Sequence, residues 1–389
     1  MATATTPAPA LLATRFIVSS SALLARVQDA AQFVTGNPVV PILENLLFDV
    51  ADGQLTLTGS DLESTFITAP LAVEASSSAP MRMAIPARIL LDTLKGLPDQ
   101  PVTLELNAEN YHVTLHSANG RYKLAGENPA DFPKPSAMHT GKTSELPAAA
   151  LLLALRHTLP FVSGDELRPA MCGVLFQLEM ERLTCVATDG HRLVRHRALG
   201  LQLDGAFTFI VPKKPLQYLV KLVGNTTTLR MRHHVAAVRF ELERGTLHTR
   251  LIDERYPDYE NVIPISSENH LLIDRAQLLG AAKRIGIYAN KSTHQTRLAL
   301  APAELQVSAE DLDFSNEASE KLPCQYEGAD MEIGFNGRFL IEMLSLLDSA
   351  EVQLAMTTPN RAALLTPVPA LDDVDLLMLV MPVMLNNYR

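Results

Sequence analysis

One pattern of about 125 residues occurs three times in this chain of 389 residues. Each copy contains two short runs with the alternation of β-strands, separated by a polar turn and followed by an acidic turn. The three segments are Asn45–Glu63, Gly173–His191 and Thr296–Asp313, and their turn aspartates are Asp61, Asp189 and Asp311. A period of this length is too long for a solenoid repeat and suits a whole domain.

The similarity extends to both sides of each hairpin. A segment with apolar residues at helical spacing precedes it, and a second helix follows it. The first helices are predicted at Ser20–Val34, Pro147–Phe161 and Asp274–Ala289, and the second begin near Ile85, Val211 and Phe335. We expect Pro86 and Pro212 in the first turn of their helices and Asn336 at an N-cap. Alternating strands follow at Val102–Leu106, Thr228–Arg232 and Glu351–Met356.

These elements predict an α+β chain of three tandem domains of like fold, each with two helices and antiparallel sheets. The boundaries are a flexible N-terminal tail at 1–14, then domains at 15–140, 141–264 and 265–389. The Pro/Ser-rich segments Pro133–Thr143 and Pro264–Asn269 are the expected linkers.

Composition excludes several classes of protein. The net charge of −10 argues against simple DNA wrapping unless the basic residues share one surface. Three scattered cysteines without ligand spacing favour a reduced compartment and no structural zinc. The longest apolar run, Leu376–Leu385, is ten residues and holds a proline, too short to span a membrane. The Ala/Thr/Pro-rich start lacks the basic region of a signal peptide.

The stretch Leu183–Val194, LTCVATDGHRLV, suggests an active site because Asp189 and His191 lie side by side. The repeat favours a different interpretation, since the same acidic turn occurs at Asp61 and Asp311 without a histidine. An Asp in a turn commonly bonds nearby backbone amides, and Gly190 would supply a positive φ. A triad would also need a nucleophile motif that the sequence lacks. The hydrolase hypothesis stays open as the weaker alternative.

Metal and nucleotide sites have little support in the sequence. His191 and His196 have an i, i+5 spacing that matches no familiar ligand pair, and His233 and His234 would point to opposite faces of a strand. The chain has neither a P-loop motif nor a dinucleotide-binding motif. We therefore expect no metal and no cofactor.

Basic residues concentrate in the predicted helices, while acidic residues concentrate in hairpins and loops. A common basic surface of helices could contact DNA phosphates without reading the base sequence, although ordinary solvated helix faces would look the same. The candidates for this DNA-facing set are Arg26, Arg88, Lys95, Lys213, Lys214, Lys221, Lys283 and Arg284.

The chain resembles the bacterial DNA polymerase III beta subunit, the beta sliding clamp family. The motifs that carry the resemblance are Asn37–Val50, Leu55–Glu63, Val186–Leu193, Arg255–Tyr259, Met331–Asn336 and Val380–Leu385, in this order, and it covers about residues 15–385. It implies three domains per chain and a ring of two chains around duplex DNA, with helices lining the hole. It also implies a cytoplasmic protein, associated with the nucleoid during replication, that performs no chemistry and tethers polymerase to DNA.

The resemblance further implies a peptide pocket between the second and third domains. Its partners would be the polymerase III alpha subunit, the clamp loader, other polymerases and repair factors, each through a short motif. His191 and Arg192 would offer donors to the peptide. The matching positions are Met171, Thr188, Gly190, His191, Arg192, Leu193, Pro257, Val262, Asn336, Phe339, Leu379, Val380, Met381, Pro382, Val383, Met384 and Leu385.

Several positions depart from the family pattern. Asn261 stands where arginine is common and Thr293 where an aromatic residue can occur, while Val383 and Met384 replace a Met-Arg pair. Asn386–Arg389 extends past the usual end. These departures leave open which peptides the pocket prefers. On the DNA side, Arg168 matches a position that contacts DNA in the family.

The seam of the ring is predicted from position and charge. Arg121, Tyr122 and Leu124 of the first domain would meet Ile287 and Tyr288 of the other chain, with Glu317 and Glu320 near Arg121. The alternative for Tyr122 is a place in the core of its own sheet. A ring of three chains with two domains each disagrees with three repeats per chain.

Overall fold

The computed structural model describes residues 14–77, 79–134 and 141–385. The chain forms two compact units. Unit 1 contains the residues up to Thr143 together with Tyr218–Arg250, and unit 2 contains Ser144–Gln217 and Leu251 onward. Residues 1–13 of the tail expected at 1–14, and the extension Asn386–Arg389, lie outside the described residues. Thr14, assigned to the tail, instead begins the first strand.

Six α-helices occur in the described residues, at the six places where the sequence predicts them. They are α1 (Ser20–Ala31), α2 (Ala87–Lys95), α3 (Ala148–Thr158), α4 (Lys213–Leu222), α5 (Arg275–Ile285) and α6 (Gly337–Leu346). Asn336 is the N-cap of α6, as predicted, because its side chain accepts a hydrogen bond from the Arg338 amide. The prediction for Pro86 and Pro212 was wrong, because each is the last residue of a strand and the helix begins one residue later.

The helices are short, and none in the described part of the chain is long and apolar enough to cross a membrane. Short 3₁₀ turns occur at Pro41–Glu44, Pro129–Asp131, Leu159–Phe161, Pro169–Cys172 and Glu260–Val262.

The remaining regular structure is antiparallel β-sheet. Its first strands are β1 (Thr14–Ser19), β2 (Asn45–Ala51), β3 (Gln54–Ser60), β4 (Ser64–Thr68), β5 (Leu71–Ala72), β6 (Glu74–Ala75), β7 (Met81–Pro86), β8 (Pro101–Leu106), β9 (His112–His116), β10 (Arg121–Ala125), β11 (Lys142–Pro147), β12 (Gly173–Glu179), β13 (Arg182–Thr188) and β14 (Arg192–Leu199). The later strands are β15 (Phe207–Pro212), β16 (Thr228–His233), β17 (Ala237–Leu242), β18 (Gly245–Arg250), β19 (Asn269–Asp274), β20 (Gln295–Ala301), β21 (Glu304–Asp311), β22 (Asn316–Pro323), β23 (Gln325–Glu327), β24 (Met331–Asn336), β25 (Glu351–Met356), β26 (Ala363–Val368) and β27 (Val374–Val380).

Unit 1 contains two sheets that enclose a core with α1 and α2. One sheet has the order β10-β9-β8-β1-β6, and the other runs β16-β17-β18-β4-β3-β2-β7 with β5 beside β3. Alternate residues such as Phe16, Phe48 and Leu104 point inward and are fully or almost fully buried. Leu124, expected at the ring seam, belongs to this core and is 3% exposed. It is therefore unavailable for a seam contact, whereas its neighbour Tyr122 is partly exposed.

Unit 2 contains a nine-stranded sheet, β15-β12-β13-β14-β27-β26-β25-β19-β23, and a four-stranded sheet, β22-β21-β20-β24. The pairing of β14 with β27 joins the second copy of the repeat to the third within one sheet, with Arg192 opposite Val380 and Ala198 opposite Val374. One face of this sheet carries a small core formed by Leu175, Val186, Leu193, Ile210, Tyr259, Ala362 and Leu379. The 251–264 segment packs on that face through Tyr256, Tyr259 and Ile263.

Candidate functional site

The turn after β13 is built by Asp189, as the repeat predicts. Its Oδ1 accepts the backbone amides of His191 at 2.9 Å and Arg192 at 2.8 Å. Gly190 has a φ of +89°, which a glycine adopts without strain. The corresponding carboxylates at Asp61 and Asp311 also accept backbone amides, from Ser64 and Asp313. The acidic turn of all three copies is therefore a backbone-bonding device.

The same geometry contradicts the hydrolase alternative. A triad needs a carboxylate that orients the imidazole, but Asp189 bonds the main chain of His191 and not its ring. The nearby Thr188 hydroxyl donates to the Arg192 carbonyl oxygen at 2.6 Å, so it is not poised as a nucleophile. Burial raises the pKa of the Cys185 thiol on the same strand, which disfavours the reactive thiolate. No group of three or more His, Cys, Asp or Glu side chains suited to a metal occurs within the described ranges.

Arg192 is the most enclosed charged side chain of the site, with 6% of its side chain exposed. Its guanidinium lies 4.9 Å from the ring centroid of Phe161 and 4.3 Å from that of Phe339. It forms ion pairs with Asp189 at 3.1 Å and with Glu342 at 2.6 Å. A buried guanidinium between two rings and two carboxylates is stabilised by both contacts.

This arrangement differs from the expectation that Arg192 offers its donors to a peptide. Nε bonds Asp189, Nη1 bonds Glu342 and Nη2 also reaches the Pro160 carbonyl oxygen at 3.4 Å. Because these donors are engaged within the chain, Arg192 supports the wall of the site. His191, by contrast, is exposed, and its ring lies 6.2 Å from that of Phe339.

The predicted pocket residues of the turn, α6 and the C-terminal strand come together in unit 2. Strand β27 places Leu379 opposite Leu193, and the Met381 amide donates to the His191 carbonyl oxygen at 2.8 Å. The Val383 amide donates to the Gly334 carbonyl oxygen at 2.8 Å, and the Leu385 side chain lies against Gly334. These contacts bring the end of the chain beside the N-terminus of α6, where Asn336 and Phe339 lie.

The 251–264 segment, which precedes the predicted linker at Pro264–Asn269 and which we call the linker from here on, contributes the second wall. Tyr256 donates from its hydroxyl to the Val186 carbonyl oxygen at 3.4 Å, and Tyr259 donates to Gln177 Oε1 at 2.6 Å. Burial raises the pKa of the Tyr259 hydroxyl to about 12, so it remains a donor at neutral pH. Pro257, between the two tyrosines, and Val262, after them, are exposed. Val262 has 54% of its surface accessible. We call the residues His191, Leu193, Pro257, Val262, Phe339 and Met381 together the groove, of which Leu193 is buried in the small core of the sheet.

The remaining pocket positions differ in their exposure. Met171 is half-buried in the 3₁₀ turn before β12, and Met384 is largely exposed on the last described segment. Asn261, one of the departures, donates to Asp258 at 2.6 Å, so it closes the linker turn on itself. Gln295 donates to the Met384 carbonyl oxygen at 3.4 Å. Val380 is buried in β27, while Pro382 and Val383 are half-buried beyond it.

Arg168, expected to face DNA, packs on the turn of the groove. Its Nε donates to Asp165 at 2.9 Å, and its Nη1 would lie 2.7 Å from a Cβ at Gly190. The guanidinium therefore occupies the space that the missing side chain of Gly190 leaves. This contact ties Arg168 to the turn that carries His191.

The other predicted DNA-facing residues differ in their exposure and in the partners that the structure gives them. Arg88, Lys95, Lys214, Lys221 and Lys283 are exposed and Arg26 is half-buried. Lys213 donates to the Val162 carbonyl oxygen at 3.2 Å. Arg284 forms two bonds with Glu320, at 2.7 and 2.8 Å, so its charge is neutralised within the chain.

That pair also changes the predicted seam. Glu320 was expected to meet Arg121 of another chain, but Arg284 lowers the pKa of its carboxyl and holds both of its oxygens. Glu317 on β22 is exposed, as are Arg121 on β10 and Ile287 and Tyr288 after α5. Together with Tyr122, which is 36% exposed, these residues are the accessible members of the predicted set.

Sequence reasoning missed the residues that hold the site together. Phe161 packs against the Arg192 guanidinium, and Glu342 forms an ion pair with it. Tyr256 and Tyr259 anchor the linker. Phe161 could have been found from the repeat, since Phe33 lies just after the corresponding helix α1 of copy one and is also fully buried. Glu342 carries no such signal, because its partner lies 150 residues away.

Comparison with known proteins identifies the family. Models of the DNA polymerase III beta subunit match as its N-terminal domain at 14–136, its central domain at 145–258 and its C-terminal domain at 260–384. The beta sliding clamp of Escherichia coli strain K12 is 31% identical over 345 residues, 88% of this chain and 93% of that protein. The clamp of Synechococcus elongatus is 31% identical over 366 residues, 91% of this chain and 95% of that protein.

Solved structures agree with this similarity. The sliding clamp of Pseudomonas aeruginosa bound to griselimycin has a TM-score of 0.89 at 28% identity, covering 96% of this chain and all of that one. The three matching models together cover most of the chain, in the order of the three repeats. The chain therefore belongs to the DNA polymerase III beta subunit family, the beta sliding clamps.

Proposed function

We propose that this sliding clamp closes with a second copy into a ring on duplex DNA and holds partner proteins through the groove. The observation that carries the proposal is the convergence of four separate segments on one apolar surface: the turn after β13, the linker, α6 and the end of β27. An apolar groove with a few polar groups at its edge is suited to an extended peptide. The protein acts as a non-catalytic subunit in the cytoplasm, without a cofactor.

The peptide would lie between Leu193, Val262 and Met381, with the exposed His191 at one edge. Partners bound in this way would be the polymerase III alpha subunit, the clamp loader, other polymerases and repair factors. Because Arg192 is occupied by Asp189 and Glu342, peptide recognition would rest on apolar contacts, on His191 and on exposed backbone.

DNA contact would come from the exposed basic side chains of the helices. Arg88 and Lys95 on α2, Lys221 on α4 and Lys283 on α5 are exposed to solvent. Lysine and arginine contacts to phosphates carry no sequence information, as an encircling protein requires. Three domains per chain, at 15–140, 141–264 and 265–389, would give six domains in the ring.

The groove is tested with griselimycin, the ligand bound to the Pseudomonas aeruginosa clamp in its solved structure. We expect it to bind this chain, and His191→Ala to weaken binding about tenfold, as loss of one edge contact would. His112→Ala, on a partly buried histidine of unit 1 far along the chain, serves as the control. Absence of binding to the unaltered chain, or equal binding by both variants, would refute the assignment of the groove.

A further inference from the structure

Four charged side chains form a closed ring beside the groove. Arg195 pairs with Glu260 at 3.3 Å and with Asp375 at 3.2 Å, and Arg197 pairs with the same two carboxylates at 3.0 and 3.1 Å. Each arginine therefore meets both acids, and each acid meets both arginines. We call these residues the ionic ring.

The backbone explains why the ionic ring forms. Arg195 and Arg197 are two residues apart on β14, so both project from the same face of the sheet. Strand pairing sets Arg197 directly opposite Asp375 on β27 and Arg195 opposite Leu377. Glu260 comes from the linker, which covers this face through Tyr256 and Tyr259.

The arginine side chains are largely buried from solvent, whereas the two acidic side chains are about half exposed. Arg195 and Arg197 have 11% and 22% of their side chains exposed, whereas Glu260 and Asp375 have 49% and 42%. A guanidinium at that depth needs a carboxylate partner more than an exposed pair does. Without the Glu260 contacts, the linker would lose its ion pairs to the sheet and keep the tyrosine hydrogen bonds, whereas both arginines would retain Asp375.

The position of Glu260 in the linker connects the ionic ring to the groove. Glu260 begins the 3₁₀ turn that ends at Val262, the exposed wall of the groove, and its carbonyl oxygen accepts the Ile263 amide at 3.2 Å. The tyrosine anchors lie before this turn, at 256 and 259. Glu260 is thus the charged anchor closest to Val262.

We propose that Glu260 is a positioning residue: held by Arg195 and Arg197, it fixes the Val262 wall and so sets how long a peptide stays in the groove. The inference rests on the proposed function of the groove. Preorganised walls act mainly on the dissociation rate, since a mobile wall must be ordered again each time a ligand binds.

The test compares two variants of the full-length chain that each remove one acid of the ionic ring. Glu260→Gln removes the carboxylate of the linker, whereas Asp375→Asn removes the carboxylate of β27 and leaves Glu260 with its arginines. We expect Glu260→Gln to raise the griselimycin dissociation rate about five- to tenfold with little change in association, and Asp375→Asn to stay within about twofold. Raising the salt concentration should speed dissociation from the unaltered chain more than from Glu260→Gln.

A second measurement needs no ligand. Hydrogen exchange of the 261–263 amides should be faster in Glu260→Gln than in Asp375→Asn, with equal melting temperatures showing that both are folded. Equal exchange in the two variants, or equal griselimycin dissociation, would overturn the role of Glu260 while leaving the groove intact. Failure of the unaltered chain to bind griselimycin would instead refute the groove, and the exchange data would still decide whether Glu260 holds the linker.

Discussion

Two buried histidines face each other inside unit 2. His157 on α3 and His196 on β14 join their Nδ1 atoms at 2.9 Å, and their residues are 2% and 0% exposed. One Nδ1 must donate and the other accept, so at least one of the two rings is neutral. Burial lowers the pKa of His157 to about 4 and that of His196 to about 3, with Arg156, Asp348 and Asp375 as the charges nearby.

The pair makes stability fall in acid. In the unfolded chain both histidines have a pKa near 6.5, so below that pH the unfolded state binds protons that the folded state excludes. The stabilisation is complete above about pH 6.5 and is lost as the pH falls towards about 4, by up to about 1.4 kcal/mol per pH unit for each histidine. Urea unfolding from pH 7 to 5 measures the slope.

The control for this prediction is the double variant His157→Leu, His196→Leu. Without the two titrating groups, its unfolding free energy should vary less steeply with pH, whatever its stability at pH 7. The same slope in both proteins would show that other groups cause the acid sensitivity.

At the scale of elements, the turn after β13 depends on two properties of Gly190. Its φ is +89°, and a Cβ there would meet the Arg168 guanidinium. Gly200 has a φ of +69° with open space around it, which makes it a matched control. Alanine at either position should cost about 1 kcal/mol through backbone strain.

Only Gly190→Ala should also weaken griselimycin binding, because it displaces Arg168 from the turn that carries His191. Urea unfolding and calorimetric titration of the two variants separate these effects. Equal loss of affinity in both would mean that the Arg168 contact is irrelevant to the groove.

Helices, hairpins and acidic turns could be predicted because each is encoded within a few neighbouring residues. Asp61, Asp189 and Asp311 each bond amides two or three positions away, and the helices follow from apolar spacing. The pairing of β14 with β27 could not be predicted from pattern alone, since it joins strands far apart in sequence.

The site was predictable only in part, for the same reason. The family resemblance located the groove segments, but not the burial of Arg192, which depends on Phe161, Phe339 and Glu342 from other elements. The resemblance also did not indicate the ion pair between Arg284 and Glu320, which depends on α5 lying beside β22. Long-range partners of charged side chains decide which of them remain available.

At the scale of the whole molecule, ring closure should depend on the exposed edge strand β10. Arg121→Glu with Tyr122→Ala reverses one charge and removes a partly exposed aromatic side chain, so it should convert the proposed dimer to a monomer in sedimentation. Arg361→Glu, in an exposed turn, is the control for charge alone. An unchanged dimer would refute the seam at β10.

The central claim is that the chain encircles DNA, and topology tests it most directly. Labelled protein is loaded by the clamp loader onto a nicked circular plasmid and onto the same plasmid made linear, and bound protein is counted after gel filtration in high salt. The account predicts retention on the circle and loss from the linear ends, because a closed ring can leave only by sliding off. Equal, salt-sensitive loss from both plasmids would contradict it, since that is how ordinary phosphate binding behaves.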